Sequence, residues 1–375
     1  MEAPKTALIG LGSNQGDRFK NLQSAIDKIH MQAGSIVKIS KVYKSEAVGF
    51  EGPEFLNACI LLKTYLKPNQ LMKELLAIEV DLGRKRGKET NYESRTIDLD
   101  LLIYEDRIKQ TKGLTLPHPK MHERVFVLQP LHDIAPEIKH PKKKKTIAEL
   151  LNKFEEESFI EPLNIWLKNP NKAFDFSTYN YIAIEGNIGA GKTSLATMIS
   201  KEFNAKLILE RFADNPFLPK FYKEPQRYAF TLEMSFLADR YQQISDDLSQ
   251  LDLFRDFIVS DYDVFKSLIF SKITLPEDEF MLYRKLFYQV YKDIAKPDLY
   301  IYLFQNTERL QENIKKRGRQ YEQNIDRDYL DKINAGYLEF LRNQSELKVK
   351  MIDISDMDFV YNRSDYLSIL NRIIS

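Results

Sequence analysis

Residues 182–193 read IAIEGNIGAGKT, and this stretch decides the fold of the part of the chain that contains it. An apolar run leads into a glycine-rich turn, which is followed by Lys192, Thr193 and an amphipathic segment. The spacing is that of a phosphate-binding loop between a strand and a helix. Glycine lets successive backbone N–H groups turn toward phosphate oxygens, and the helix N-terminus adds positive potential. Lys192 is placed to reach the β- and γ-phosphates of ATP or GTP, and the Thr193 hydroxyl to bind Mg²⁺. The expected ATP contacts are Gly186, Asn187, Ile188, Gly189, Ala190, Gly191, Lys192 and Thr193.

The pattern around this loop predicts an α/β domain. From residue 179 onward, apolar runs alternate with helical periodicity, and strands are predicted at 181–185, 206–210, 256–260, 299–304 and 349–354. The longest helix is predicted at 227–248. This order indicates a parallel sheet flanked by helices, in which ligands bind at the carboxyl ends of the strands.

The first part of the chain mixes alternating and helical patterns. Strands are predicted near 6–11, 56–62 and 97–103, and helices over 19–29 and 71–82. The pattern weakens after residue 152. We therefore predict a first domain at 1–160, a linker at 161–178 and a second domain at 179–375.

Composition excludes several classes of protein. Among 375 residues, Lys and Arg number 55 and Asp and Glu 54, so bulk charge does not indicate a nucleic-acid or membrane partner. The single cysteine, Cys59, excludes an internal disulfide framework and fits a reducing compartment. Neither a signal peptide nor a transmembrane segment is indicated, so a cytoplasmic protein is expected. The lysine run at 142–145 is expected to be a solvated turn, with nucleic-acid binding as the alternative.

A second phosphate-handling pattern lies in the first domain. Asp98 and Asp100 flank Leu99 in an alternating strand, which places both carboxylates on one face. They form either a pair of Mg²⁺ ligands or part of a solvent-exposed sheet face. Basic residues around the pair would suit a polyphosphate. These are Arg84, Arg86, Arg95, His118 and Arg124.

This domain resembles the 6-hydroxymethyl-7,8-dihydropterin pyrophosphokinases. The resemblance covers residues 5–150 and rests on LGSN (11–14), FLN (55–57), GRKR (83–86), RTIDLD (95–100) and PHPKMHERVFVLQPL (117–131). It implies a ferredoxin-like α+β fold and transfer of a pyrophosphoryl group from ATP to the pterin hydroxymethyl group, with release of AMP. On this match Asp98 and Asp100 hold two Mg²⁺ ions, while Arg84 and Arg95 act on the phosphates. The match assigns Glu79, Arg86, His118 and Arg124 to the ATP site, and Ser45, Val48, Phe55, Asn57 and Phe126 to the pterin pocket. It departs from the family at Tyr92-Glu93-Ser94-Arg95, where Trp-x-Pro-Arg is common, and this puts loop closure in doubt.

The second domain contains further residues that bear on which molecule accepts the phosphoryl group. Glu210 ends the second predicted strand, where a carboxylate either accepts a proton from an attacking hydroxyl or is a surface residue. Arg317 and Arg319 follow a predicted helix and form either a lid that closes on phosphates or a solvated helix end.

These residues resemble the deoxynucleoside kinases, in particular the bacterial deoxyadenosine/deoxyguanosine type. The matching runs are IEGNIGAGKTSLA, ERFADNPFLPKFY, FTLEMSFLADRYQQ, VSDYDVFKSLIF, PDLYIYL and KKRGRQYE. The match implies phosphorylation of a deoxyribose 5′-hydroxyl with one Mg²⁺ and release of ADP. It makes Glu210 the general base, and Lys192, Arg317 and Arg319 the groups that stabilise the transferring phosphoryl. It assigns Tyr222 and Glu322 to the 3′-hydroxyl, Glu233 and Arg240 to the base, and Asp261 with Thr193 to the Mg²⁺ shell.

Glu233 bears on base preference, because the animal enzymes have Gln at that position. They also have Glu-Arg-Ser where Ser260-Asp261-Tyr262 stands here. A carboxylate accepts from an exocyclic amine but cannot donate, which favours deoxyadenosine, then deoxyguanosine, then pyrimidines. Alternatively, Glu233 pairs with Arg240 two turns along the same helix.

We therefore predict a bifunctional enzyme with small-molecule substrates, independent sites and, by resemblance, a homodimer through the kinase domain. The competing hypothesis is that one half is a silent nucleotide-sensing module that regulates the other.

Overall fold

The chain forms two compact units, Met1–Phe174 and Asp175–Ser375. The structure, a computed structural model, describes residues 3–84, 94–154, 160–211, 215–249, 254–292 and 294–375. Among these residues, no helix is long and apolar enough to cross a bilayer.

The first unit is built on an antiparallel sheet in the order β5-β1-β4-β3-β8, with β2 also paired to β4 and β6–β7 forming a separate hairpin. The strands are β1 (Lys5–Ser13), β2 (Ser35–Ile39), β3 (Val42–Ser45), β4 (Phe55–Thr64), β5 (Asp98–Tyr104), β6 (Lys109–Thr111), β7 (Leu114–Leu116) and β8 (Glu161–Leu163). The helices are α1 (Arg18–Gln32), α2 (Pro68–Asp81), α3 (Val125–Ile134) and α4 (Ile147–Leu151).

Both faces of this sheet are buried, which explains why β1 reads as a continuous apolar run. Ala7, Ile9 and Leu11 pack in a cluster with residues of α1 and α2, whereas Leu8 packs with residues of α3 and α4. The register of β1 against β5 pairs Gly10 with Asp100 and Gly12 with Asp98, so the two aspartates lie beside small residues.

The second unit contains the parallel sheet that the sequence predicts, in the order β10-β11-β9-β12-β13. Its strands are β9 (Tyr181–Gly186), β10 (Lys206–Ile208), β11 (Ile258–Ser260), β12 (Leu299–Phe304) and β13 (Val349–Asp353). Its helices are α5 (Lys192–Glu202), α6 (Leu218–Phe221), α7 (Pro225–Ser249), α8 (Phe265–Thr274), α9 (Glu277–Tyr291), α10 (Thr307–Arg317), α11 (Arg327–Arg342) and α12 (Arg363–Ile374).

Two local predictions are changed by the structure. The strand predicted at 206–210 ends at Ile208, so Glu210 lies beyond the strand and not at its end. The predicted linker begins with β8, which pairs antiparallel with β3 and places Leu163 opposite Val42. The start of the predicted linker is therefore part of the sheet of the first unit. The chain passes from one unit to the other at Phe174 and Asp175.

Candidate active sites

The acidic pair of the first unit lies in a cavity together with two predicted phosphate-binding arginines. Asp98 and Asp100 both line it, as do Arg95 and Arg124. Arg84 Nη1 donates to Asp98 Oδ1 at 2.6 Å, and Arg95 Nη1 donates to Asp98 Oδ2 at 2.5 Å. The alternative of a plain exposed sheet face does not describe this arrangement, because both carboxylates are partly buried beside cations.

The surroundings of Asp100 disfavour its ionised form, which a bound cation would stabilise. Burial and the neighbouring Asp98 charge raise the pKa of Asp100 to about 7, against the opposing effect of Arg124. Two carboxylates on one strand face fit a divalent cation that takes its remaining ligands from substrate phosphates and water. Among the described residues there is no cluster of three or more residues able to hold a metal without such help.

Glu79 and His118 lie beside this cavity and do not line it. Glu79 is 1% exposed, and its carboxylate binds Arg84 and accepts the Leu99 backbone N–H at 2.8 Å. It therefore fixes Arg84 and the strand that carries the aspartates. Burial and the Arg124 charge lower the pKa of His118, so its imidazole is neutral near pH 7. Arg86 lies outside the described residues, as do Tyr92 and Glu93 of the divergent loop.

Aromatic and amide groups form the other wall of the cavity. Asn57 Nδ2 donates to Ser45 Oγ at 2.9 Å, which orients the amide. The predicted rings Phe55 and Phe126 both line the cavity, and the Phe126 ring lies 5.5 Å from the Arg124 guanidinium carbon. Val48 also lines it, with 60% of its surface exposed. Phe50, which was not predicted from the sequence, also lines the cavity and meets Phe55 edge-on with ring centroids 6.3 Å apart.

In the second unit, the loop before α5 depends on glycine at defined positions. Gly191 has φ +82°, and a Cβ there would lie 2.8 Å from the Phe359 ring. At Gly186, a Cβ would lie 2.6 Å from the Leu303 carbonyl oxygen. A side chain at either position would displace neighbouring atoms, so the predicted turn requires the residues that the motif supplies.

The side chains of the loop hold its shape. Lys192 Nζ donates to the Gly186 and Asn187 carbonyl oxygens at 2.9 and 3.0 Å. The Asn187 side chain is buried and donates to Leu330 O and Asn334 Oδ1, both at 2.8 Å. The side-chain amide of Asn187 therefore anchors the loop, and a ligand could be bound only through the Asn187 backbone N–H. Ala190 is buried as well, while Ile188, Gly189, Lys192 and Thr193 line the second cavity.

Thr193, Asp261 and Glu210 are connected by hydrogen bonds. The Thr193 hydroxyl donates to Asp261 Oδ2, and Asp261 Oδ1 accepts the Glu210 backbone N–H at 2.8 Å. Burial raises the pKa of Asp261. A hydroxyl and a carboxylate in contact after a phosphate-binding loop form a donor set that fits Mg²⁺.

Glu210 is held between two buried cations. Arg240 donates to Glu210 Oε1 from Nε at 2.8 Å and from Nη2 at 2.6 Å, and Lys266 Nζ donates to Oε2 at 2.5 Å. Burial alone would raise the pKa of Glu210, but Lys266 and Arg240 outweigh it and hold the pKa well below its ordinary value. Arg240 thus pairs with Glu210, and the predicted alternative of an Arg240–Glu233 pair is not what forms.

The two arginines of the predicted lid also contact a carboxylate. Arg317 and Arg319 both donate to Glu322, which is buried, and all three line the cavity. Lys315, Lys316 and Arg317 are all exposed, as expected for a solvated helix end, but Arg317 differs from the two lysines in that it contacts Glu322 and lines the cavity.

Apolar side chains also line this cavity, together with Tyr222 and Glu233. The apolar residues are Leu218, Phe221, Leu232, Phe236 and Phe270. Glu233 is 2% exposed, and its Oε1 lies 3.1 Å from Thr274 Oγ1. Carboxylates, cations and the phosphate loop thus share one cavity with an apolar slot that contains a buried carboxyl.

Lys266 is the second residue that sequence reasoning missed. The available signal was a lysine inside the apolar run VFKSLIF, since a charge there needs a buried partner. Phe50 carried no comparable signal, because it stands in an irregular segment between β3 and β4.

Comparison with known families matches each unit separately. The family model for deoxynucleoside kinase matches residues 182–375, and that for 7,8-dihydro-6-hydroxymethylpterin-pyrophosphokinase matches residues 8–136. The chain is 37% identical over 194 residues to the deoxyguanosine kinase of Bacillus subtilis, covering 51% of this chain and 94% of that protein. It is 42% identical over 146 residues to the 2-amino-4-hydroxy-6-hydroxymethyldihydropteridine pyrophosphokinase of Synechocystis sp., covering 39% of this chain and 74% of that protein.

A similar relative of the first unit comes from Aquifex aeolicus, with 38% identity over 44% of this chain and 98% of that pyrophosphokinase. Among solved structures, the deoxyadenosine kinase from M. mycoides with bound dATP aligns at 25% identity and a TM-score of 0.46, covering 52% of this chain and 99% of that one. The chain therefore belongs to both families, joining a 7,8-dihydro-6-hydroxymethylpterin-pyrophosphokinase at its N-terminal side to a deoxynucleoside kinase at its C-terminal side.

Proposed function

We propose that this chain catalyses two ATP-dependent reactions at independent sites. The first unit transfers pyrophosphate from ATP to 6-hydroxymethyl-7,8-dihydropterin and releases AMP. The second unit phosphorylates the 5′-hydroxyl of a deoxynucleoside and releases ADP. The observation that carries the proposal is that each unit combines phosphate-handling charges with an apolar or aromatic slot in a single cavity.

In the second unit, the proposed chemistry follows from the position of Glu210. A nucleoside in the apolar slot places its sugar near Glu210 and its 5′-oxygen toward Lys192. Glu210 is ionised, so it can accept the proton of the 5′-hydroxyl as the new O–P bond forms. Lys192, Arg317 and Arg319 neutralise charge on the transferring phosphoryl group. A Mg²⁺ ion held by Thr193 and Asp261 would screen the phosphate oxygens of ATP.

In the first unit, the pterin ring is proposed to stack between Phe55 and Phe126, with Asn57 hydrogen-bonded to its edge. The hydroxymethyl group then faces the aspartate pair. Mg²⁺ at Asp98 and Asp100, two ions by family resemblance, would screen the triphosphate. Binding of the triphosphate would draw Arg84 and Arg95 from Asp98 to the phosphates, because a doubly charged phosphate is the stronger partner.

Four finer points belong to the same proposal. We place deoxyadenosine first among the acceptors and deoxyguanosine second. We assign the first unit to the ferredoxin-like class, which the strand order β5-β1-β4-β3 supports. We expect a homodimer through the kinase unit. We propose domains at 1–160 and 179–375, as predicted from the sequence, with β8 of the segment between them paired to β3 of the first unit.

The test is a product analysis with Mg-ATP and each acceptor in turn, separating AMP from ADP. Pterin-dependent AMP and deoxynucleoside-dependent ADP are expected from the same preparation. Lys192→Ala should abolish ADP formation and leave AMP formation unchanged, and Asp98→Asn should do the reverse. If one half only binds nucleotide, its product will be missing in the unaltered chain while ATP still binds. A single substitution that abolishes both products in a folded protein would refute independent sites.

A further inference from the structure

Glu233 stands out because one of its carboxyl oxygens is buried without a partner. The residue lies on α7, is 2% exposed, and lines the same cavity as Lys192 and Glu210. Its Oε2 makes no hydrogen bond to any of the residues that the structure describes. A buried oxygen of this kind lining a ligand cavity has a strong requirement for a partner, which a substrate can supply.

The other carboxyl oxygen contacts a hydroxyl that has only one proton to give. Thr274 Oγ1 lies 3.0 Å from the Phe270 carbonyl oxygen and 3.1 Å from Glu233 Oε1. A carbonyl oxygen only accepts, and a threonine hydroxyl donates once. The single hydroxyl proton is shared between the two acceptors when Glu233 is ionised, whereas a protonated Glu233 could donate to Thr274 and let both contacts be two-centre hydrogen bonds. A proton on Glu233 would therefore remove the competition at Thr274, while Oε2 would still need a partner from a ligand.

The surroundings favour that neutral form. The nearest cation on the same helix, Arg240, donates two hydrogen bonds to Glu210, and Lys266 donates to Glu210 as well. Burial raises the pKa of Glu233 to about 7, with Arg240 and the Thr274 hydroxyl opposing the rise. The charged and titratable groups that act on Glu233 or contact it are Arg240, Lys266, Glu210, Tyr283 and Tyr329.

We propose that Glu233 reads the nucleobase as a neutral carboxylic acid, so that the site accepts a 6-oxopurine as well as a 6-aminopurine. The proposal rests on the proposed deoxynucleoside kinase function. A carboxylic acid offers one donor and one acceptor and its proton can sit on either oxygen, whereas a carboxylate only accepts. The amino group of adenine can donate to either form. The carbonyl oxygen of guanine needs the protonated form, because it would otherwise face an oxygen with no proton to offer.

The sign of the pH dependence follows directly. Below the pKa, Glu233 is neutral and both purines are read. Above it, Glu233 is ionised, and the 6-oxopurine loses its donor while the 6-aminopurine keeps its acceptor. The preference for adenine that the sequence suggests is therefore a property of the ionised form alone.

The experiment measures kcat/KM of the full chain for deoxyguanosine and for deoxyadenosine between about pH 6 and pH 8.5, below the pH at which guanine ionises. This parameter reports the protonation state of the free enzyme, and the ratio of the two substrates cancels any titration that they share. We expect the deoxyguanosine-to-deoxyadenosine ratio to fall about tenfold as the pH rises through the titration of Glu233. Glu233→Gln keeps a donor and an acceptor at every pH, so its ratio should be flat. Glu277→Gln, which removes an exposed carboxyl on α9, is the matched control and should follow the unaltered chain.

A flat or rising ratio in the unaltered chain, with both nucleosides phosphorylated, would overturn the proposal. A Glu233→Gln variant that keeps the pH-dependent ratio would overturn it as well, because some other group would then be titrating. Phosphorylation of pyrimidine deoxynucleosides alone would also overturn it. If none of the four deoxynucleosides is phosphorylated at any pH, the proposed kinase function itself is refuted. Thermal unfolding of both variants establishes that they fold.

Discussion

Replacing Lys266 by methionine tests how Glu210, the proposed general base, is held. The substitution keeps the length of the side chain and removes its charge. Lys266 is the hydrogen-bond donor to Glu210 Oε2 at 2.5 Å, while Arg240 remains on Oε1. The side chains of Lys266 and Glu210 are 11% and 9% exposed, so water cannot readily replace the lost partner.

The magnitude follows from this burial. Removing one partner of a buried, hydrogen-bonded ion pair costs about 3–5 kcal/mol of stability, and the remaining Arg240 places this variant near the lower value. The effect on catalysis has a separate origin. Without Lys266, the Glu210 carboxylate repels an incoming phosphate more strongly and loses its fixed orientation. A comparable loss of one preorganised charge-stabilising group lowers kcat about 10²–10³-fold, and we expect that loss for ADP formation.

The assay compares Lys266→Met with Lys272→Met, a change on the same helix. Lys272 pairs with Glu339 at 2.7 Å, but both side chains are more than half exposed, so the pair should contribute little. We expect the control to keep its activity and its melting temperature. Pterin-dependent AMP formation should be unchanged in both variants.

The result that refutes the reasoning is a Lys266→Met variant that is destabilised but still phosphorylates deoxynucleosides at the control rate. Lys266 would then serve only the packing of the kinase unit. Activity that returns in Lys266→Arg would support a role for the charge, since guanidinium can donate to the same carboxylate oxygen.

Two further predictions concern the loop and the first unit. Gly191→Ala should lower ADP formation at least about tenfold, measured with AMP formation as the internal control, because φ is +82° and the new Cβ would meet Phe359 at 2.8 Å. Burial lowers the pKa of His140 to about 4, and its Nδ1 accepts the Lys142 and Lys143 N–H groups at 3.2 and 3.1 Å. The unfolded imidazole takes up its proton first as the pH falls, so the first unit should lose about 2 kcal/mol between pH 6.5 and pH 4.5. His140→Asn, which accepts without titrating, should lose less by thermal unfolding followed at the single tryptophan, Trp166.

The sequence predicts the second unit well because its pattern is regular. Each parallel strand is a short apolar run between helices, and the strands at β9 and β12 lie within one residue of the predicted bounds. The strands of the first unit are harder to predict from periodicity. Its short strands β2, β3 and β8 have too few residues for periodicity, and they are defined only by pairing with β4 or β3.

The site residues divide in the same way. Motifs with fixed spacing, such as the glycine-rich loop and the Asp98–Asp100 pair, could be identified because local geometry alone places their groups together. Glu210 and Lys266 lie far apart in the sequence and meet only through the packing of α8 beside the segment after β10. The sequence could not show that contact, and it could not show that Asn187 turns its amide into the interior.

The pairing of Arg240 is the point on which the chemistry of the kinase cavity depends. Helical spacing favours a pair with Glu233, and such a pair would ionise Glu233 while leaving Glu210 with Lys266 alone. In the structure Arg240 pairs with Glu210 instead and donates two hydrogen bonds to one of its oxygens. Two glutamates in one cavity thereby acquire pKa shifts of opposite sign. The pKa of Glu210 lies well below its ordinary value because two cations are within hydrogen-bond distance, whereas burial raises the pKa of Glu233 to about 7. Glu210 is therefore suited to accept a proton and the neutral form of Glu233 to donate a hydrogen bond. Lys266 supports this division of roles, because without it Arg240 alone would have to keep Glu210 ionised.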